Sequence, residues 1–164
     1  MSDYSIQGPS ACAEIQRVAV WSPYKPLEYE LRKLIRLLGG VESSCDLAGR
    51  NLPQEMRDAG ATVAIVNVDH SSSGTAELIG QIRREAPGIK VIALSAHRDR
   101  RMISNALESG AIGYVLTDCA FEDVPHALRA AARNERFISP AIEGIEWPPV
   151  ALLAAAVNAG NHNT

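Results

Sequence analysis

The sequence predicts an α/β domain: one open parallel sheet, doubly wound, with helices on both faces. Three observations carry this. Short apolar runs rich in β-branched residues alternate with longer stretches of helical period. The connections between them are short. The runs are apolar almost throughout, as strands buried on both faces are.

The elements follow in order. Residues 1–15 are polar and small, contain Gly8-Pro9-Ser10, and read as a disordered lead-in. Val18-Ala19-Val20-Trp21 is a buried strand stopped by Ser22-Pro23. From Pro26 the period changes: Leu27, Leu31, Leu34, Ile35 and Leu38 share one helical face, and Gly39-Gly40 ends the helix. Val41–Ser44 reads as a strand and Leu52–Ala59 as a short helix. Thr62–Val68 (TVAIVNV) is the strongest strand signal in the chain. His70–Gly74 reads as a loop, and Thr75–Glu85 as a helix with Leu78, Ile79 and Ile82 inward, closed by Pro87-Gly88. Lys90–Leu94 is a strand, and Arg98–Ser109 a helix burying Met102, Ile103, Ala106 and Leu107. Gly113–Leu116 is the fifth strand, and Phe121–Arg133 the last helix, with Val124 and Leu128 inward.

Right-handed crossovers and short connections leave few ways to order five such strands, and the flavodoxin-like order 2-1-3-4-5 is the one expected. In such sheets the functional site lies at the carboxyl ends of the strands, near the switch point between strands 1 and 3. The positions to search are therefore Trp21-Ser22-Pro23, Asn67-Val68-Asp69, Ser95-Ala96-His97 and Thr117-Asp118.

Composition sets bounds on function. With 164 residues, 46% hydrophobic and 21% charged, the chain fits one buried core with material left at the ends. A net charge of −3 does not point to a protein that coats nucleic acid. No apolar run has the length of a membrane span, and Met1–Glu14 lacks the pattern of a signal peptide, so a cytoplasmic protein is expected. Cys12, Cys45 and Cys119 have no metal-ligand spacing and read as reduced thiols.

The segments RVAVWSPYKPLEYELRKLI, TVAIVNVD, GIKVIALSAH, ALESGAIGYVLTDC and ALRAAARNERFISPAI occur in an order that resembles response-regulator receiver domains of the NarL-type branch. The resemblance covers roughly residues 16–141, and ALESGAIGYVLTD with RNERFISP is its most specific part. In active receivers two acidic residues after strand 1 and a phosphoacceptor aspartate ending strand 3 hold Mg²⁺ through oxygen ligands. The metal and a lysine after strand 5 neutralise charge on the transferred phosphoryl group. A serine or threonine after strand 4 hydrogen-bonds the phosphoryl oxygens and moves with them.

Carried over residue by residue, the resemblance places Ser22 and Pro23 at the acidic pair, Asn67 at the acceptor, Thr117 at the lysine and Ser95 at the switch hydroxyl. Only Ser95 keeps the expected chemistry. An amide is no nucleophile for phosphoryl capture, and Mg²⁺ needs at least a carboxylate or two. The resemblance thus implies a degenerate receiver, with neither metal nor cofactor expected.

Other residues keep two readings. Asp69, two positions past Asn67, points to the same face in a strand and could act as a substitute acceptor; it also reads as a solvated aspartate capping a turn with the serines that follow. Ser95 reads as a retained switch or as a cap of the next segment. Trp21 either plugs the vacated acidic pocket or lines a small-molecule site with Tyr24, Asn67, Ser95 and Thr117. His97 and His126 read as surface histidines. HRDRR (97–101), Arg129, Arg133 and Arg136 gather positive charge around the last two helices, where interleaved Asp99 suggests a solvated, salt-bridged face.

After Ser139-Pro140 the chain runs AIEGIEWPPVALLAAAVNAGNHNT. PVALLAAAVNA reads as an apolar helix that faintly resembles the opening of the DNA-binding domain that follows NarL-type receivers, but no DNA-reading element follows within the sequence. The expected organisation is a lead-in over 1–15, a receiver-like domain over 16–137, and a linker with a helical tail over 138–164. The expected function is a non-enzymatic, phosphorylation-independent regulatory module acting through a homodimer or another protein partner. The alternatives are a metabolite-sensing receiver and a phospho-switch on Asp69. A small flavodoxin-like enzyme is disfavoured, because no nucleophile–base pair or glycine-rich phosphate loop stands at the strand ends.

Overall fold

The computed structural model describes residues 17–38, 41–42, 51–69 and 72–142. The expected lead-in and the apolar C-terminal helix lie outside them, as do Cys12 and Cys45. The elements are β1 (Arg17–Trp21), α1 (Lys25–Leu37), β2 (Val41–Glu42), α2 (Leu52–Asp58), β3 (Val63–Asn67), α3 (Ser72–Glu85), β4 (Lys90–Ser95), α4 (Arg100–Glu108), β5 (Gly113–Leu116), a 3₁₀ turn (Thr117–Cys119), α5 (Ala120–Ala132) and β6 (Phe137–Ile138).

The sheet order is β2-β1-β3-β4-β5-β6, and every pairing is parallel. The expected 2-1-3-4-5 order is present, with one strand more than the sequence reading found. Alternation within β3 shows how both faces are filled. Val63 and Ile65 join Leu31, Leu34 and Ile35 of α1 and Val124 and Leu128 of α5. Ala64 and Val66 join Met56 of α2, Ile79 and Ile82 of α3, and Ile103 and Leu107 of α4. Strand residues of period two therefore feed two separate cores, which explains the unbroken apolar run.

Several boundaries differ from expectation. Residues 72–74 are helical rather than loop, since extending an established helix by a turn costs little next to nucleating one. The helix expected from Arg98 starts at Arg100, because Asp99 serves as its N-cap and accepts the Arg101 N–H at 2.9 Å. That contact gives Asp99 a role at the start of α4. Leu38, expected on the buried face of α1, is 42% exposed: it is the C-cap, past the last full turn.

The sixth strand was hidden because it is two residues long, too short for periodicity to register. Asn134, in left-handed backbone (φ 56°), turns the chain after α5 back toward the sheet. Phe137 N–H then donates to Ile112 O and Ser139 N–H to Tyr114 O, and Ile142 packs on the core between the sheet and α2–α4. Lys90 fixes the end of α5 by donating to Ala131 O at 2.6 Å.

Candidate functional site

The carboxyl ends of β1, β3, β4 and β5 lie along one edge of the sheet, as parallel pairing requires, and each carries predicted positions. After β1, Ser22 is fully buried. Its Oγ accepts the Tyr24 N–H at 3.0 Å, and its own N–H donates to Glu28 Oε2 at 3.2 Å. Glu28, only 5% exposed, is also held by Lys25 at 3.0 Å and Arg32 at 2.9 Å. A carboxylate is thus present near the β1 loop, supplied by α1 rather than by the loop itself. The sequence reading missed it, since a glutamate in an amphipathic helix carries no sign that it reaches back to a loop amide. Pro23 is exposed.

Asn67 ends β3 and is 6% exposed. Its Oδ1 accepts the Asp69 N–H at 3.0 Å, which is the turn geometry asparagine side chains favour. This bond directs Asp69 across the sheet end. Asp69 Oδ1 accepts from Ser95 Oγ at 2.6 Å and from the Ala96 N–H at 2.9 Å. Asp69 is partly buried, and its described contacts bind the β3 loop to the β4 loop. A charged acceptor taking two donors is a strong arrangement.

Ser95, fully buried, does two jobs at once: its Oγ donates to Asp69 and accepts the His97 N–H at 3.0 Å. The second contact is the capping of the next segment that the sequence suggests for it. From β5, Tyr114 is fully buried and donates its hydroxyl to His97 O at 2.8 Å. Burial pushes its phenol above the ordinary value, the Ser95 hydrogen bond pulls it down, and the charges of Asp69 and Asp99 add to the rise. Tyr114 was absent from the sequence-derived site, because within GYVL it reads only as a strand aromatic.

Thr117 sits in the 3₁₀ turn, and its Oγ1 is buried with no hydrogen-bond partner among the described residues. Trp21 is partly buried and packs on the α2–α4 core. Tyr24 is 59% exposed. His97 and His126 are both exposed, His126 stacking on Phe137 with ring centroids 6.4 Å apart. Among the described residues no group of three or more His, Cys, Asp or Glu side chains is placed to share a metal ion. None of their helices is long and apolar enough to cross a membrane.

No family model matches the chain. It is similar to the response regulator UvrY of Escherichia coli (strain K12), 23% identical over 113 residues, covering 66% of this chain and 50% of that protein. The chain therefore spans about half the length of the curated relatives it matches. Its structure is similar to the isolated receiver domain of RcsB from Salmonella enterica serovar Typhimurium, with a TM-score of 0.62 at 21% identity over 77% of this chain and 95% of that one. It is also similar to the RcsB chain solved as two dimers bound to two parallel DNAs, with a TM-score of 0.64 at 20% identity over 85% of this chain and 68% of that one. The chain thus shares the fold of the receiver domain of RcsB, and its sequence is similar to that of response regulators.

Proposed function

We propose that this receiver homologue signals without phosphorylation, as a non-enzymatic module of transcription control that works through protein contacts. The observation that carries this reading is the engagement of Asp69. Its carboxylate oxygen takes both the Ser95 hydroxyl and the Ala96 N–H. Those are donors an incoming phosphoryl group would need, so an anion built into the chain stands where an acquired one is expected. Asn67, at the strand end, spends its amide oxygen on holding Asp69 in place. The loops after β1 and β5 supply Ser22, Pro23 and Thr117, which bring neither the metal carboxylates nor the cation that phosphoryl transfer uses.

Incubation with acetyl phosphate and Mg²⁺, read by intact mass, tests this. The expected result is no mass gain. A stable phosphoryl adduct, at Asp69 or elsewhere in the pocket, overturns the reading.

Metabolite sensing has less support. Tyr24 is exposed, Trp21 is packed on the core, and the side-chain oxygens of Asn67 and Ser95 already have partners within the chain. For protein contact, α1 and α5 cover the same face of the sheet and present Tyr29 (62% exposed), Leu37 (82%) and Phe121 (63%) outward. Exposed apolar side chains of this size on helices that share a sheet face suit a second copy of the chain.

A further inference from the structure

We infer that the Asp69–Ser95 contact is a latch that governs how firmly the segment leaving the domain, residues 137–142, is held against the sheet. The inference rests on the reading of Asp69 as the pocket's resident anion and extends it to a part of the chain remote from β3. Two routes connect the two regions. Along the first, Asp69 fixes Ser95 and Ala96, which sets the position of His97; His97 O receives the Tyr114 hydroxyl at 2.8 Å. Tyr114 in turn offers its backbone carbonyl to Ser139 N–H, and the neighbouring Leu116 N–H donates to Ser139 Oγ at 2.9 Å. Ser139 is fully buried, so both bonds are shielded from water. Along the second, Arg98, next in the same loop, donates from its guanidinium to Ala141 O at 3.1 Å. The Ile142 N–H closes the turn on Ser139 O at 2.9 Å.

The β4 loop thus stands between the pocket and the exit segment, with a bonded handle on each. With Asp69 engaged, residues 95–98 are tethered and both handles hold. Release of Asp69 frees the loop, removes the fixed acceptor of Tyr114 and lets Arg98 leave Ala141. Residues 137–142 then keep the β6 pairing, the Ser139 bonds to β5 and the packing of Ile142, but lose the support of the β4 loop. Whatever the chain joins beyond Ile142 would experience the pocket as a change in the stiffness of its anchor. This is a coupling free energy between two sites, carried by contiguous contacts and therefore reciprocal.

Amide hydrogen exchange on the full chain, comparing wild type with Asp69→Ala and Arg98→Ala, provides the test. Asp69→Ala is expected to speed exchange at the Ser139 and Ile142 amides by roughly fivefold, the loss of about one hydrogen bond's worth of protection. Reciprocity requires Arg98→Ala, a change at an exposed side chain, to speed exchange at the Ala96 amide. If Asp69→Ala loosens Ala96 while Ser139 and Ile142 keep wild-type rates, the latch is overturned and the engagement of Asp69 still stands. If Asp69→Ala does not fold, an unchanged Ala96 rate in Arg98→Ala overturns it alone. A phosphoryl adduct on the wild-type chain would instead remove the pocket reading, so the two failures are distinguishable.

Discussion

The Asp69 carboxylate and the Ser95 hydroxyl meet at 2.6 Å, joining the loop after β3 to the loop after β4. Removing the carboxylate leaves a buried hydroxyl and the Ala96 N–H without their acceptor. Asp69→Ala is therefore expected to cost about 1–3 kcal/mol, read as a lower urea midpoint with an unchanged slope. A variant as stable as wild type would mean that the contact contributes nothing to the fold.

Glu28 anchors the β1 loop from α1. Its loss would strip Ser22 N–H of an acceptor and leave Arg32 beside a vacated, poorly solvated position. Glu28→Ala is expected to destabilise by about 1.5–3 kcal/mol. Glu28→Gln keeps an acceptor for Ser22 and should lose less. Equal losses in the two variants would assign the effect to charge rather than to the bond with the loop.

Tyr114 gives the chain an alkaline limit. Its phenol is raised above 10.0, mainly by burial. Below that value the tyrosine is protonated in both folded and unfolded chains and contributes no pH dependence. Above it the unfolded chain releases the proton while the folded chain keeps it, so stability falls as pH rises toward the folded value. Tyr114→Phe, which loses the bond to His97 O at every pH, should show a shallower decline as pH rises above 10.0. Parallel slopes in chemical denaturation at those pH values would contradict this.

Gly110 has a φ of +116°, and a Cβ there would overlap Arg83 Cδ. Gly110→Ala combines backbone strain with overlap and is expected to cost about 2–4 kcal/mol. Adding Arg83→Ala removes the overlap, though also the Arg83 bond to Gly110 O, and leaves the strain. The double variant should recover part of the loss and never all of it, as a thermal melt would read.

Self-association through the α1–α5 face predicts that Phe121→Glu combined with Tyr29→Glu lowers the mass seen by light scattering at high concentration. A wild-type chain that is monomeric at every concentration would remove the proposed contact between copies.

The sheet was legible because buried strands write themselves as β-branched runs, and TVAIVNV and KVIAL leave little choice. The faces of the helices followed from period, as Ile103 and Leu107 show. What escaped depended on contacts between distant segments. Glu28 reaching Ser22, Asp69 reaching Ser95 and Tyr114 reaching His97 each join residues whose spacing carries no motif. Ser95 was found because the resemblance singled out its position, and Tyr114 was overlooked because an apolar strand hides a polar hydroxyl.

The parallel strand β6 has a consequence for how short the domain can be cut. Phe137 and Ile138 cover the edge of β5, whose sequence GYVL is largely apolar and buried. A chain ending at Glu135 would retain every helix among the described residues and strands β1–β5, yet expose that edge to any other strand in solution. Such a truncated chain is expected to aggregate on concentration, while one extended through Ile142 keeps its edge protected by the segment that leads out of the domain.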